Sequence, residues 1–585
     1  MFSGRVQSGN ITNITYLSGY DILLYNNDIL ISQTVSDQNG NFTFNVSDHC
    51  GIFYVIAYSN NIKLFCIIGD NLNVKNIIIN ELTTISCLYC FNNMIHNGII
   101  TGNGKSLKTA SLMNFNFVNY TGTLSDVIQT SPNGNETNAL QLLNSLSNLL
   151  AICINNQEIY NNVVIYTTVK NITPQNTAEI ITSIVRNPAN NISVIFSSTL
   201  IYKIYAPYLP FDNVPGAFTL AVKVNNSGNM NYLIGGIGNI VFDDNGNAWC
   251  TNNVIQGTPD SSNFTVVLQP NGKPTSFSPV IGGGNVGCGF GIVKYFDNII
   301  VGNYGWGNVF PAGGLTIYKE DGTVLTGENG FQDSLYRVQG MSVDNKNNIW
   351  VCSYGNSCVV CYINGDLNNK CTLQLPNESL PFHVVNDSNG NAFVTLKGTS
   401  KLLKLKLHQN QIETIFDISI GNTPLGVAVD SKDNVFVASA SNYTVYKLDN
   451  NGNILRKITN GIFGPWSCTI DSNDELWVAN FDANPTTNVY GMPHYTNEGI
   501  LISPSSGYTL PSGGNQVLLN NGVPLDGVGS TPFYSPLMRQ TAIKFDCAGN
   551  AWVTNNWKPI APITTQLTDN PGGDGIVIFV GLGKG

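Results

Sequence analysis

The sequence predicts a mainly β protein: a seven-bladed β-propeller, with a six-bladed ring as the alternative, preceded by a small β-sandwich and a helical connector. Two observations predict this class. Only 11% of the 585 residues are charged, against roughly 25% in typical soluble domains, and Asn, Ser and Thr take their place, as suits strands and turns. In addition, one strand–turn–strand pattern recurs through the second half of the chain.

Residues 1–78 contain short runs with alternating apolar and polar positions. Asn26-Asn27, Asn39-Gly40 and Asn60-Asn61 separate these runs, and such pairs form hairpin turns because Asn and Gly tolerate positive φ. We therefore expect a small β-sandwich of about seven strands over these residues.

Residues 79–212 change to a helical period. NELTTISCLYCFNNMI places apolar residues near one face, with Asn80 available as the N-cap. NALQLLNSLSNLLAICINN carries a wide leucine stripe, and TAEIITSIVRNP must end before Pro188. We expect these helices to connect the sandwich to the repeats.

Residues 213–585 contain the repeat. Each copy has an apolar strand, an Asp-x-x-Gly/Asp-Asn turn and a second strand that usually begins with Trp or Phe. Asp and Asn bind their own backbone in such turns, and the aromatic ring packs between adjacent sheets. Several neighbouring copies lie about 43 residues apart, the size of a four-stranded blade. The shared aspartates are Asp243, Asp297, Asp344, Asp387, Asp430, Asp471 and Asp546.

The copies are expected to close into a ring, because one blade cannot bury both of its faces alone. We expect residues 218–225 to pair with the C-terminal strand GIVIFVG, since this pairing removes the open sheet edges. The second copy is abbreviated, and an insertion before Ser535 separates the last two copies. We expect a partner to dock on this insertion and on the glycine-rich loops.

The repeat cores TPLGVAVDSKDNVFVAS and AIKFDCAGNAWVTN resemble the NHL-repeat and streptogramin-lyase-like β-propeller superfamily. The first domain, with SGRVQSG, GYDILLY and TVSDQNGNFTFNV, resembles a carboxypeptidase-regulatory-like, transthyretin-like sandwich. INELTTISCLYCF, LLNSLSNLLAICIN and SIVRNPANN are similar to the helical connector of bacterial NHL-repeat proteins with the same three-part layout. This resemblance implies the architecture and a surface-associated location, and it implies no defined activity.

Charge and composition exclude several classes of function. A net charge of −10 without a basic run argues against nucleic-acid binding. No apolar run is long enough to be a transmembrane segment, and no signal peptide is visible. Cys87-x-x-Cys90 and Cys358-x-x-Cys361 lie far apart in the chain, so a zinc site is not predicted. We expect no metal and no cofactor.

His383 is the weak catalytic candidate. It holds the position that Gly426 holds in the next copy, so it can face the central channel. Streptogramin lyases, which the repeats resemble, use histidines and a glutamate around a metal at the channel mouth, and no second histidine here has an equivalent place. The candidate binding residues are aromatic and histidine side chains in loops and in the insertion, for which burial between blades is the alternative: Tyr304, Trp306, Trp557, His494 and Tyr495.

The sequence favours a non-enzymatic surface or structural protein. Its propeller face is expected to bind a protein or a glycan, or to mediate self-assembly, at an extracellular or particle (virion) surface. The alternative is a propeller lyase or hydrolase that acts at the channel mouth. An enzyme requires titratable groups that converge beside His383, whereas a binding protein requires Asn, Tyr and Trp there.

Overall fold

The computed structural model describes residues 1–10, 12–46, 50–70, 74–134, 137–232, 234–254, 260–307, 312–510, 536–557 and 575–585. The chain is mainly β, and the α-helices of the described residues lie between residues 81 and 199. In this part of the chain, no helix has the length and apolar character needed to cross a membrane.

The N-terminal residues form two four-stranded sheets. Their strands are β1 (Phe2–Ser8), β2 (Thr15–Tyr16), β3 (Asp21–Asn26), β4 (Ile29–Val35), β5 (Asn41–Phe44), β6 (Phe53–Ser59), β7 (Ile62–Gly69) and β8 (Ile77–Ile79). In the first sheet β1 pairs with β2, β5 and β8, and in the second the order is β4-β3-β6-β7. Two of the hairpin turns use Asn27 and Asn60 at φ of 52° and 53°, a conformation that Asn tolerates.

Helices follow the two sheets. They are α1 (Glu81–Cys90), α2 (Gly104–Asn114), α3 (Asp126–Gln129), α4 (Ala139–Asn155), α5 (Gln157–Thr167), α6 (Thr177–Arg186) and α7 (Ile192–Thr199), with a short hairpin of β9 (Ile95–His96) and β10 (Ile99–Ile100) after α1. The three predicted helices are confirmed as α1, α4 and α6. Asn80 caps α1 by accepting the Thr83 N–H, and α6 ends two residues before Pro188.

The strands from residue 221 to residue 579 form seven antiparallel sheets within the described residues, here named A to G. Sheet A contains β12 (Ile237–Phe242), β13 (Ala248–Asn252), β14 (Phe264–Leu268) and β15 (Val280–Ile281), and sheet B contains β16 (Cys288–Tyr295), β17 (Asn298–Asn303) and β18 (Leu315–Lys319). Sheet C contains β19 (Val338–Val343), β20 (Ile349–Ser353), β21 (Cys358–Tyr362) and β22 (Lys370–Gln374), and sheet D contains β23 (Pro381–Asn386), β24 (Ala392–Leu396), β25 (Lys401–His408) and β26 (Gln411–Ser419). Sheet E contains β27 (Pro424–Val429), β28 (Val435–Ser439), β29 (Thr444–Leu448) and β30 (Ile454–Ile458), and sheet F contains β31 (Pro465–Ile470), β32 (Leu476–Asn480) and β33 (His494–Tyr495). Sheet G contains β34 (Arg539–Phe545), β35 (Ala551–Trp557), β36 (Ile576–Phe579) and, from the other end of the repeat region, β11 (Ala221–Val224).

These sheets surround a central channel. The first strand of each sheet packs against the first strand of the next, and the first strand of sheet G packs against that of sheet A. This is the layout of a β-propeller. In sheet G, β11 pairs antiparallel with β36, with Val222 opposite Ile578. The predicted pairing of residues 218–225 with the C-terminal strand is therefore confirmed.

An aspartate carboxylate organises the turn between the first and second strands. In sheet C, Asp344 Oδ1 accepts the N–H groups of Lys346 and Asn348, both at 2.9 Å. Its Oδ2 accepts bonds from Asn348 Nδ2 at 2.8 Å and from Trp350 Nε1 at 3.0 Å. Five further aspartates accept the equivalent turn N–H groups: Asp243, Asp387, Asp430, Asp471 and Asp546.

Asp297 does not hold this place, and the prediction for it is wrong. In sheet B a two-residue turn, Phe296-Asp297, joins β16 to β17, with Tyr295 paired to Asn298. A turn of this length has no residues left for the Asp-x-x-x-Asn bonds. The second copy of the repeat is thus shorter because it uses a different type of turn.

The helices pack against sheets A and G. One buried apolar core extends from the N-terminal sheets through α1 and α4 to Trp552 and Ile578. Polar bonds reinforce this contact: the Tyr89 hydroxyl donates to Phe218 O at 2.8 Å, and Asn133 Nδ2 donates to Lys223 O at 3.0 Å. The closing strand β11 is therefore held from both sides.

All thirteen cysteines of the chain are free, and all but Cys50 and Cys547 are buried. Burial raises the pKa of the thiols of Cys87 and Cys90, the first of the two predicted close pairs. These thiols are protonated at neutral pH and fill apolar space.

Replacing Val222 with aspartate tests the closing pairing. Val222 is 0% exposed, so a carboxylate there should lower the free energy of unfolding by about 3 kcal/mol or more. Urea unfolding followed by fluorescence measures the change. Ile415→Asp is the matched control, because Ile415 also lies on an outermost strand but is 47% exposed, and it should change stability by less than about 0.5 kcal/mol. Equal losses in the two variants would contradict the closure.

Candidate functional site

Each sheet of the ring presents two different ends to the channel. At one end the first strand passes through the aspartate turn into the second strand, and we call this the turn end. At the other end the first strand begins and the second strand stops, and we call this the bulge end, because the pairing register there is irregular.

The pairing register shifts, by a β-bulge or a similar irregularity, at the bulge end of every described first strand. In sheet D the register shifts between Pro381 and Val384, which leaves Phe382 and His383 opposite a single residue. Bulges of this kind change the direction of side chains. The neighbouring strands are also very close here, since a Cβ on Gly340 would lie 2.5 Å from Phe382 O, which explains why glycine is common at the position of His383.

Three aromatic rings at the bulges close the channel. Phe290 lies 6.4 Å from Phe382, and Phe382 lies 5.6 Å from Trp466, measured between ring centroids. These residues belong to sheets B, D and F, which are not neighbours in the ring, so their contacts cross the channel. The rings thus separate the bulge end from the channel interior.

A cavity of about 490 Å³ lies in the channel and is lined by the first strands of all seven sheets. Its titratable lining groups include Lys294, His383 and Lys544, and the described lining residues include no carboxylate. Lys294 is held in ion pairs with Asp244 at 2.9 Å and Glu320 at 3.3 Å. Burial lowers the pKa of Lys544. The cavity lining therefore combines apolar side chains with amide, hydroxyl and cationic groups.

His383 is buried in the wall of this cavity. Its Nδ1 accepts the Val427 N–H at 3.0 Å, and its ring meets the ring of Phe290 edge-on at 4.9 Å. Burial, assisted by the charge of Lys544, lowers the pKa of His383 to about 3. The imidazole is neutral at physiological pH and its Nδ1 lone pair is already used, whereas a general base needs a free one. These contacts favour a structural role for His383.

A connected group of aromatic rings covers the bulge end, and we call it the aromatic face. Its members follow the second strands or lie in the bulges: Tyr304, Trp306, Tyr354, Phe382, Trp466, Phe481 and Trp557. Trp306 lies 4.8 Å from Tyr304 and 6.0 Å from Trp557. Trp466 stacks on Phe481 at 4.8 Å. The first strand begins and the second strand ends at the bulge end of each sheet. Rings at these two positions therefore lie close enough to contact one another.

The structure brings together Tyr304, Trp306 and Trp557 among the predicted binding residues. The other two lie in β33 of sheet F. Tyr495 is 0% exposed and its hydroxyl donates to Asn460 O at 2.6 Å, so it is a core residue. His494 is at the turn end. Residues 511–535, the main part of the predicted docking insertion, lie outside the described residues.

Sequence reasoning missed the other rings of the aromatic face. Tyr354 and Phe481 directly follow second strands, and Phe382 and Trp466 lie in bulges. The usable signal was the alignment of the repeats themselves, which places these residues at equivalent positions in different sheets.

Cationic side chains lie against this face. Arg337 lies 5.6 Å from the ring centroid of Tyr304, Lys397 lies 5.8 Å from that of Tyr354, and Arg539 lies 4.9 Å from that of Phe481. Such contacts fix the rings and add positive charge. Six buried polar atoms here lack a hydrogen-bond partner among the described residues: Trp306 Nε1, Trp466 Nε1, Arg337 Nε, Arg539 Nε, Gln339 Oε1 and Gln540 Oε1.

A pocket of about 320 Å³ opens on the same face between sheets D, E and F. Trp466 and Phe481 provide its aromatic wall, and Lys397 and Asp482 provide its charged groups. Burial lowers the pKa of Lys397. The Tyr443 hydroxyl lies 3.4 Å from Asp482 Oδ2. Apolar surface with a few polar groups is the usual make-up of a ligand site.

No family model matches the chain, and no curated protein matches it. Among solved structures it is similar to a catalytically inactive virginiamycin B lyase from Staphylococcus aureus with quinupristin, at 12% identity over 62% of this chain and 98% of that chain, with a TM-score of 0.40. It is also similar to a streptogramin B lyase, at 14% identity over 61% and 96%, with a TM-score of 0.38. A putative 6-phosphogluconolactonase from Bacteroides uniformis matches at 12% identity over 46% and 84%, with a TM-score of 0.37. Likenesses of this degree carry no conclusion about activity.

The neutral state of His383 makes an acid-dependent contribution to stability. Its pKa in the folded chain, about 3, is below the ordinary value of 6.5, so the unfolded chain takes up a proton first as the pH falls. Stability should therefore be intact above pH 6.5 and be lost between pH 6.5 and 3, by up to about 1.4 kcal/mol per pH unit.

Urea unfolding of the wild type and of His383→Asn at several pH values measures this contribution. Asn offers an oxygen to the Val427 N–H but does not titrate, so the variant should lose less stability on acidification. His408→Asn is the control, because His408 is exposed. Identical pH profiles for the wild type and His383→Asn would contradict the buried neutral state.

Proposed function

We propose that this chain is a binding protein and that the aromatic face of its propeller is the binding surface. The observation that carries the proposal is the cluster of buried polar atoms among the aromatic rings at the bulge end that have no hydrogen-bond partner among the described residues. Buried polar groups in folded proteins are nearly always hydrogen-bonded, and each unsatisfied one costs about 1–3 kcal/mol. Six such atoms at one end of the ring of sheets indicate a ligand that supplies their missing hydrogen bonds.

The chemistry of these atoms favours a glycan as the ligand. The indole and guanidinium N–H groups donate, and the glutamine oxygens accept, which matches hydroxyl groups that do both. The rings supply flat apolar surfaces against which the apolar face of a sugar can pack. A protein surface rich in polar groups, including a second copy of this chain, is the alternative occupant.

The channel supports a binding role over an enzymatic one. The rings of Phe290, Phe382 and Trp466 close it at the bulge end, and His383 behind them is neutral with its Nδ1 occupied. The titratable groups of the described cavity lining do not form an acid–base pair. A lyase or hydrolase would require such a pair beside the substrate.

The proposal includes the architecture. The seven sheets A to G act as the blades of one closed propeller, over residues 213–585. Residues 1–78, as a carboxypeptidase-regulatory-like sandwich, and residues 79–212, as the connector, hold the side of the ring formed by sheets A and G. The aromatic face is at the opposite end of the sheets from the turns that contact the connector, such as Asp243, whose carbonyl accepts a bond from Lys105 Nζ at 3.0 Å.

Trp306→Ala tests the binding surface. The variant removes from the aromatic face a ring and a donor that has no partner among the described residues, so binding should weaken by about 2 kcal/mol, roughly 30-fold. Binding of the full chain to a panel of immobilised oligosaccharides measures the effect, and sedimentation velocity over a range of concentrations tests self-association.

Phe296→Ala is the matched control. Phe296 is 63% exposed but lies in the two-residue turn of sheet B, at the turn end, so its loss should leave binding unchanged. Glycan binding or self-association that Trp306→Ala leaves intact, or the absence of both in the wild type, would refute the proposed surface.

A further inference from the structure

A second cluster of functional groups lies at the turn end of sheet F. The ligand atoms that Asp471, Glu475 and His494 can offer lie within 4.8 Å of one another. His494 Nε2 is 3.0 Å from Glu475 Oε2. The His494 ring stacks on Trp477, with centroids 3.6 Å apart and planes at 11°. Asp471 and His494 are buried, and Glu475 is half-buried, so the cluster is built into the fold and is reachable from one side.

Comparison with the sister sheets shows that sheet F departs from the common turn. In sheets A, C, D, E and G the fourth residue after the aspartate is an asparagine whose Nδ2 donates to the aspartate Oδ2 at 2.8–2.9 Å. In sheet F this residue is Glu475, which cannot donate. Asp471 Oδ2 keeps the bond from Trp477 Nε1 at 3.1 Å, but the place of the second donor is taken by a carboxylate. One lone-pair site of Asp471 Oδ2 is therefore left open within the described residues.

The third strand shows the matching change. The residue opposite the aromatic ring of the second strand is Lys404 in sheet D, Lys447 in sheet E and His494 in sheet F. Lys404 Nζ lies 3.5 Å from Asp387 Oδ2, so in sheet D one lysine faces one carboxylate. In sheet F two carboxylates face one imidazole. A neutral or singly charged histidine therefore leaves negative charge uncompensated.

The neighbouring Lys584 does not form an ion pair that compensates this negative charge within the described residues. Lys584 lies near both carboxylates, but its Nζ donates to Asn93 Oδ1, and it forms no ion pair within the part of the chain that the structure describes. Burial lowers the pKa of Lys584, against the opposing effect of the two carboxylates. Burial, with a smaller contribution from Glu475, also raises the pKa of Asp471, as expected for carboxylates placed together.

We propose that Asp471, Glu475 and His494 form a binding site for a divalent first-row transition metal ion, with zinc as its simplest representative. Two carboxylates and a neutral imidazole balance a charge of +2 and supply oxygen and nitrogen ligands that such ions accept. Three protein ligands leave a fourth position for water or for a partner's side chain. No metal is expected from the sequence, and this site departs from that expectation. Glu475 and His494 are far apart in the sequence and come together only because the chain turns back into β33.

The geometry requires only small movements. Zinc holds its ligands at about 2 Å, so the ligand atoms lie about 3.3 Å apart, close to the present separation of His494 and Glu475. The backbone of Asp471 is fixed by its turn bonds, and the stack on Trp477 orients His494. The other separations within the cluster are at most 4.8 Å, so they have to shorten by about 1.5 Å at most.

Zinc titration of the full chain, first treated with a chelator and dialysed, tests the proposal by calorimetry and by metal analysis. The wild type should bind one zinc ion per chain at this site. Glu475→Asn restores the sister residue of sheet E, Asn434, and His494→Lys restores Lys447, so both variants should fold. Each should lose at least about 100-fold in zinc affinity, since even groups outside the ligand shell alter affinity about 10–100-fold.

His408→Ala is the matched control. His408 Nδ1 also lies 2.9 Å from a glutamate, Glu413, but this pair is on the surface and has no second carboxylate among its described contacts. Its loss should leave zinc binding unchanged, and the visible spectrum of the Co²⁺-loaded chain should change only in the Glu475 and His494 variants. A wild type that binds no zinc, or zinc binding that survives both Glu475→Asn and His494→Lys, would overturn the site.

Discussion

One buried carboxylate in each regular turn holds the ring together. Its first oxygen accepts two turn N–H groups. Its second oxygen accepts an asparagine amide in sheets A, C, D, E and G and the indole N–H of a tryptophan in sheets A, C, F and G; in sheet C the carboxylate is that of Asp344 and the indole that of Trp350. That indole is buried between adjacent sheets. The same carboxylate therefore stabilises both the turn and the packing of the indole between two sheets, so each of these features favours the other. Hydrogen bonds to charged groups contribute about 1.5–3 kcal/mol, so this coupling is strong enough to set the spacing of the sheets.

Three of the sheets that contain this turn depart from its common form, and one of them, sheet F, carries the proposed metal site. Sheets D and E replace the indole with Phe393 and Phe436 and place a lysine over each of these rings. Sheet F keeps the indole and exchanges the asparagine for Glu475 and the lysine for His494. No aspartate turn occurs at the bulge end of the described sheets, and the residues there form the aromatic face. The aromatic face is thus separated from the structural turns by the length of one strand.

Much of the fold follows from local signals in the sequence. The Asp-x-x-x-Asn turns, the cap at Asn80 and the stop at Pro188 depend on residues a few positions apart, so pattern alone predicts them. Trp350, Phe436 and Trp552 each lie six residues after an aspartate and hold equivalent places in their sheets. Closure by β11 was predictable for a different reason, namely that an open sheet edge is unfavourable.

The site residues were harder to predict because their contacts cross between sheets. The sequence predicts three aromatic binding candidates, among them Trp306, as exposed loop residues, but their position in one cluster depends on a contact between sheets B and G that no local pattern shows. The prediction for Asp297 is wrong because Asp297-Asn298 resembles the Asp and Asn of the five-residue turn, although Asn298 already belongs to β17. His494 was placed with the loop residues, since its pairing with Trp477 and Glu475 requires the strand β33 to return to sheet F.

The coupling between turn and inter-sheet ring can be measured directly by a double-mutant cycle at Asp344 and Trp350. Trp350→Phe removes the indole donor, Asp344→Asn removes the charge, and equilibrium unfolding of both single variants and the double variant gives the interaction energy. The structure predicts a coupling of about 1–3 kcal/mol. Additive effects, with a coupling within about 0.3 kcal/mol of zero, would contradict the view that this carboxylate joins each turn to the packing of the ring.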